Sequence, residues 1–127
     1  MSEQNYIAVT IGNRTTTALE VQKHDLYSGT WEAEGDFPPV EVPAGKELTA
    51  FRASGRPGTA AGTEGYVVYE LGDGSGATVK VYWDAPWGST YNNLKVDSSD
   101  SGITVEVEGW SGSGVTEEVT LTVHDDR

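Results

Sequence analysis

Cysteine is absent from this chain of 127 residues, which excludes disulfides and thiolate metal centres and leaves the redox compartment open. Histidine is nearly absent. His24 and His124 are the two present, and neither sits in a recognisable catalytic spacing. Gly-x-Ser-x-Gly, His-Glu-x-x-His and phosphate-loop patterns are missing as well. The expectation is a protein that is not an enzyme and needs neither cofactor nor metal. Asp73-Gly74-Ser75 and Asp97 to Asp100 lack calcium-loop spacing and read as ordinary turns.

Basic residues are scarce: eight Lys and Arg stand against 20 Asp and Glu, a net charge of −12. Nucleic-acid binding needs a basic footprint, and none is present. Anionic lipid surfaces are disfavoured by the same count, since a cation near one gains about 1 kcal/mol and an acid loses a comparable amount. Any membrane target is therefore neutral or zwitterionic. Long apolar runs are missing too, none approaching the roughly 18 residues of a spanning helix. The opening Met-Ser-Glu-Gln-Asn has no basic region and no apolar core of the kind a Sec-type signal carries.

What is present is alternation. Ile7, Val9 and Ile11 share one face; so do Val67, Tyr69 and Leu71, then Val79, Val81 and Trp83, then Val119, Leu121 and Val123. Leu19 with Val21, Leu48 with Ala50, Leu94 with Val96, and Ile103 with Val105 and Val107 continue the pattern. A period of two over about eight segments predicts half-buried strands. Between them lie Gly12-Asn13, Ser28-Gly29, Pro38-Pro39, Pro43-Ala44-Gly45, Gly72 to Gly76, Ser98 to Gly102 and Ser111 to Gly114, which are turn signals at hairpin spacing. Residues 1–127 thus read as a single all-β domain, an antiparallel sandwich, with Gly72 to Gly76 as a hairpin turn and His124 to Arg127 fraying at the end. Asn13-Arg14-Thr15 fits the glycosylation acceptor pattern, without any sign of secretion to support it.

The densest chemistry lies in Val81-Tyr82-Trp83-Asp84-Ala85-Pro86-Trp87-Gly88. Trp83 has the parity of Val79 and Val81 and is expected in the core; Tyr82 has the opposite parity and points outward. Trp87 follows a proline that stops the strand, so it is expected on an exposed turn, where an indole suits a surface that is apolar below and wet above. Tyr91 and Trp31 are candidates to join it, Trp31 being equally a core plug. Arg56 and Glu64 flank the glycine-rich stretch Gly55 to Gly65. A guanidinium there either forks onto a phosphate or holds the loop through its carbonyls or Asp84. Asp84 either meets an amine headgroup or caps the Pro86 turn. Trp31, Arg56, Glu64, Tyr82, Asp84, Trp87 and Tyr91 are the candidate lipid-binding residues.

Three of these groups together resemble the aegerolysin family. They are Ser54-Gly55-Arg56 followed by Gly62-Thr63-Glu64-Gly65; Val81-Tyr82-Trp83-Asp84-Ala85-Pro86-Trp87-Gly88-Ser89; and an N-terminal strand ending Ile11-Gly12-Asn13, followed by Trp31. Departures are Ser54 and Ala85 where family members often have cysteine, Ala61 where fungal relatives often have an acid, and Leu94 and Tyr6 at positions where relatives carry tryptophan. The resemblance implies a small β-sandwich that docks on membranes by recognising lipids, sphingolipids in fungal relatives, as the docking component of a two-component cytolysin or insecticidal toxin. It implies a larger pore-forming partner protein. An oligomer on the membrane is compatible with it, and so is synthesis in the cytoplasm followed by non-classical release to act at target-cell membranes. No segment has the unbroken apolar face of about 9–11 residues that a membrane-spanning strand needs, so the chain alone is expected to permeabilise poorly. A carbohydrate- or protein-binding, lectin-like sandwich using the same turn-borne aromatics is the alternative.

Overall fold

The computed structural model describes residues 5–31, 39–55, 62–88 and 91–127. Nine strands are described: β1 Tyr6–Asn13, β2 Leu19–Ser28, β3 Thr30–Trp31, β4 Glu47–Ser54, β5 Thr63–Leu71, β6 Thr78–Ala85, β7 Asn93–Ser98, β8 Ile103–Glu108 and β9 Thr116–Asp125. They form a five-stranded sheet in the order β3-β4-β1-β9-β8 and a four-stranded sheet in the order β2-β5-β6-β7. Among the described residues no helix is long and apolar enough to cross a membrane.

The sandwich follows from the alternation. Ile7, Val9, Ile11, Val119, Leu121 and Val123 from one sheet meet Val67, Tyr69, Leu71, Val79, Val81 and Trp83 from the other, all buried. Burial drives the Tyr69 phenol well above its ordinary range. The hairpin at Gly72 to Gly76 is as expected, closed by Leu71 N–H donating to Ala77 C=O at 2.9 Å. Two features depart from the sequence expectation. The pairing of β1 with β9 is parallel, whereas the other strand pairs of both sheets are antiparallel. The C-terminus does not fray: β9 runs to Asp125, Asp126 N–H donates to Gly102 C=O, and the Arg127 guanidinium is held by Asp73, Asp125 and Ser75. Carboxylates already fixed in neighbouring turns give the last side chain partners that composition does not reveal.

Asn13 is no glycosylation site in this fold. It is fully buried; its amide donates to Thr17 and Val42 carbonyls at 2.9 and 3.0 Å and accepts from the Thr15 backbone and hydroxyl. The side chain satisfies the backbone of the β1–β2 connection instead.

Candidate functional site

One end of the sandwich gathers the sequence motifs. The C-terminal ends of β2, β4, β6 and β8 and the N-terminal ends of β1, β5, β7 and β9 all point there, as the registers require. The segments 86–88, 91–92 and 109–115 and the approaches to the glycine-rich stretch lie at this end.

The two principal motifs prove to be one cross-strand unit. On β5 and β6, Thr63 pairs with Ala85, Glu64 with Asp84, Gly65 with Trp83 and Tyr66 with Tyr82. A Cβ on Gly62 would come within 2.5 Å of Ala85 O, 2.7 Å of Trp87 N and 2.8 Å of Pro86 Cα, so only glycine lets the Pro86 turn lie so close. Thr63 Oγ1 accepts the Trp83 indole N–H at 3.2 Å, and Glu64 accepts the Tyr82 hydroxyl at 2.5 Å. Gly65 leaves the space that Trp83 fills: a Cβ there would lie 3.0 Å from the Trp83 ring and 2.5 Å from Asp25 O. Each residue of Gly62-Thr63-Glu64-Gly65 thus seats a residue of the aromatic motif.

Electrostatics follow from that register. Asp84 has its carboxyl pushed upward, first by desolvation and then by the Glu64 charge opposite. The phenol of Tyr82, donating to Glu64, is pushed up to about 12 chiefly by that hydrogen bond, since ionising it would place two negative charges together.

Trp83 is fully buried, as its parity predicts, and Trp87 is 52% exposed and Tyr91 72% exposed. Tyr82, Glu64 and Asp84 are half-buried on the outer face of the four-stranded sheet. Trp31 is brought into the core rather than beside Trp87. It is half-buried, with ring centroids 6.0 Å from Trp83, 6.2 Å from Phe51 and 5.4 Å from His24, closing the interior at this end. Arg56, named with Glu64 from the sequence, lies outside the described residues, as do Ala61 and Ser89. No group of three His, Asp or Glu able to hold a metal occurs among the described residues.

Sequence reasoning missed three participants. Glu117 is fully buried, its Oε1 accepting from Ser111 N–H at 2.8 Å, and its Oε2 from Gly112 N–H at 2.9 Å and Asn92 Nδ2 at 2.8 Å. It ties β9 to the 111–112 turn and to the neighbour of Tyr91. Its signal was available, for it has the inward parity of Val119 and Leu121. Trp110, in the adjoining loop, packs against the core. Tyr27, 60% exposed, had no signal: it sits at a register shift of β2 that breaks parity.

The family model for aegerolysin matches residues 4–126. This chain belongs to the aegerolysin family. It is 27% identical over 113 residues to Asp-hemolysin of Aspergillus fumigatus, covering 82% of this chain and 79% of that protein. It is similar in fold to the RahU protein solved with a TRIS molecule (TM-score 0.79, 21% identity, 95% of each chain). It is likewise similar to the lipid binding protein Nakanori (TM-score 0.73, 16% identity, 97% of this chain and 71% of that one). These likenesses cover between 82% and 97% of this chain.

Proposed function

We propose that this aegerolysin is a lipid-docking protein. Its motif-bearing end inserts aromatic rings among the headgroups of neutral or zwitterionic, sphingolipid-containing membranes of a target cell, and it acts there as the docking component for a larger pore-forming partner. The observation that carries this reading is the exposure of Trp87 and Tyr91 at one end of a rigid scaffold, in a family that includes Asp-hemolysin. Full burial of an aromatic side chain removes about 150–250 Å² from water, worth roughly 4–6 kcal/mol. Trp87, already half covered, supplies about half of that and the more exposed Tyr91 somewhat more, which together meet only the low end of the roughly 4–15 kcal/mol cost of association. Headgroup contacts must add to it. Tyr82, Glu64 and Asp84 stand beside the Pro86 turn to make them, an amine being the group that their two carboxylates favour; the exposed edge of Trp31 and the Arg56 guanidinium complete the set.

The test is sedimentation with liposomes of sphingomyelin, ceramide phosphoethanolamine, phosphatidylcholine or phosphatidylserine. Co-sedimentation with a sphingolipid mixture and not with phosphatidylserine is the expected result. Failure to bind any sphingolipid mixture overturns the proposal. Dye release by the chain alone should be slight and should rise when the pore-forming partner is supplied.

A further inference from the structure

A groove of about 350 Å³ runs along the outer face of the four-stranded sheet, from Tyr27 and Tyr66 toward the motif-bearing end to Val68 and Thr78 farther from it. Tyr66 and Val68 of β5 form its floor, and Gln22, Lys23, Tyr27, Thr78 and Lys80 surround them. Val68 lies six residues along β5 from Gly62, about 20 Å at the rise of a strand. With the motif-bearing end on a bilayer, the groove would open sideways, above the headgroups.

Two interruptions of β2 shape this groove. The register with β5 shifts between Val21 and Lys23 and again between Leu26 and Ser28, so Gln22 and Tyr27 are the extra residues of two bulges. Strict alternation from Leu19 and Val21 would turn Lys23 and Tyr27 inward. The bulges keep both on the outer face, and both line the groove. Bulges re-aim side chains and are over-represented beside functional sites.

The lining selects a ligand class. Tyr27, 60% exposed, leans on Tyr66 with ring centroids 5.9 Å apart and planes at 42°, which presents an aromatic platform. Lys80 Nζ stands 5.0 Å from the centre of the Tyr66 ring, holding its ammonium over the floor. Among the described residues neither Lys23 nor Lys80 is in an ion pair. Of the acids of this face, Asp25 accepts Leu26 N–H, Glu70 accepts Gln22 Nε2, Asp97 pairs with Lys95 and Glu64 accepts from Tyr82, while Glu20 and Asp84 are not among the groove's described lining. Among the described residues, two cations and no carboxylate therefore line a groove on a protein of net charge −12. Thr78, Gln22 and the phenols supply both donors and acceptors. A ligand with an apolar ring face, a rim of hydroxyls and one negative charge matches every part.

From this we infer that the groove on the outer face of the four-stranded sheet is a binding site for an acidic sugar, a saccharide bearing one carboxylate. Tyr27 stacks on the ring, Lys23 and Lys80 meet the carboxylate, and Gln22 and Thr78 take the hydroxyls. The groove adjoins Tyr82 through Tyr27 and Tyr66, but its ligand is a soluble sugar and its occupancy is measured without a membrane.

Chemical-shift mapping of the whole protein with free sialyllactose, lactose and sodium acetate tests it. Saturable shifts with sialyllactose are expected at 22–27, 66–68 and 78–80, with lactose and acetate each weaker by about tenfold, the worth of one charge-assisted contact. Lys23→Gln should weaken sialyllactose by a similar factor, and Tyr27→Ala should weaken sialyllactose and lactose alike. Both residues are exposed, so melting midpoints should stay unchanged. Equal binding of lactose, equal binding of acetate, shifts confined to 86–92, or no saturable shift at millimolar sugar would each overturn the assignment. A glycolipid vesicle is not needed, so failure of the lipid reading leaves this result intact.

Discussion

At the scale of single residues, the half-exposed indole of Trp87 and the buried carboxylate of Glu117 have opposite parts. Trp87→Ala removes a surface ring: vesicle binding should fall, and the melting midpoint should move by no more than a few degrees. Glu117→Gln puts an amide where backbone and side-chain donors converge, leaving donors facing donors. A loss of about 1–3 kcal/mol by denaturant titration is expected, with weaker vesicle binding because Asn92, and with it Tyr91, loses its anchor. Asp84 gives a pH signature. Its carboxyl is raised in the fold, so the folded state takes up a proton more readily than the unfolded chain. This group therefore destabilises the fold when charged, and its unfavourable contribution fades as pH falls through its folded titration range. Asp84→Asn should stabilise the protein at neutral pH, and the gain over wild type should shrink in acid. Absorbance titration of the tyrosines should find one phenol near 12, that of Tyr82, and Tyr82→Phe should remove it.

At the scale of elements, the β5–β6 hairpin joins the two sequence motifs. Its turn and its outward and inward faces were legible in the sequence, because Gly72 to Gly76 is turn chemistry and Val79, Val81 and Trp83 keep a strict period of two. The register was not legible. It takes the pairing of Glu64 with Asp84 to explain why a Gly-Thr-Glu-Gly run accompanies a Tyr-Trp-Asp run at all. Gly62→Ala tests that explanation. The added carbon meets backbone atoms of Ala85, Pro86 and Trp87 rather than a movable side chain, so the Pro86 turn must shift. Vesicle binding should drop as far as for Trp87→Ala, and Trp83 fluorescence should keep its buried emission. Strand β2 was the least legible element, because two bulges change the phase of its side chains and no residue type announces a bulge. The short β3 was also unseen, since two residues carry no period, although a core plug was one of the two places the sequence allowed Trp31.

Across the whole molecule, two poles differ in how they are fastened. The motif-bearing pole is closed by rings and by Glu117. The opposite pole is closed by Arg127, whose guanidinium meets Asp73 of the hairpin and Asp125 of its own strand and approaches Asp100 at 3.8 Å. The Asp73 carboxyl falls to about 2, mainly through its bonds from Ser75 and also through Arg127, and Asp125 is lowered chiefly by Arg127. Both are depressed, so their contribution is fully present above the ordinary carboxylate range, about 4, and is lost as pH falls toward 2. Arg127→Ala should lower the melting midpoint at neutral pH, the difference should vanish in strong acid, and salt should narrow it. Charge composition foretold the acid excess but not this arrangement, because the partners are brought together from three distant segments.

The parallel seam between β1 and β9 sends the two chain ends in opposite directions. Tyr6 enters at the motif-bearing pole, whereas Arg127 leaves at the far one. If the proposed docking holds, a fluorophore or affinity handle joined ahead of β1 would crowd the motif-bearing end, and one joined after Arg127 would disturb the guanidinium clasp. For imaging on vesicles, the least intrusive place for a label is therefore the exposed turn at Ala44, ahead of β4 at the far pole and outside the Arg127 clasp.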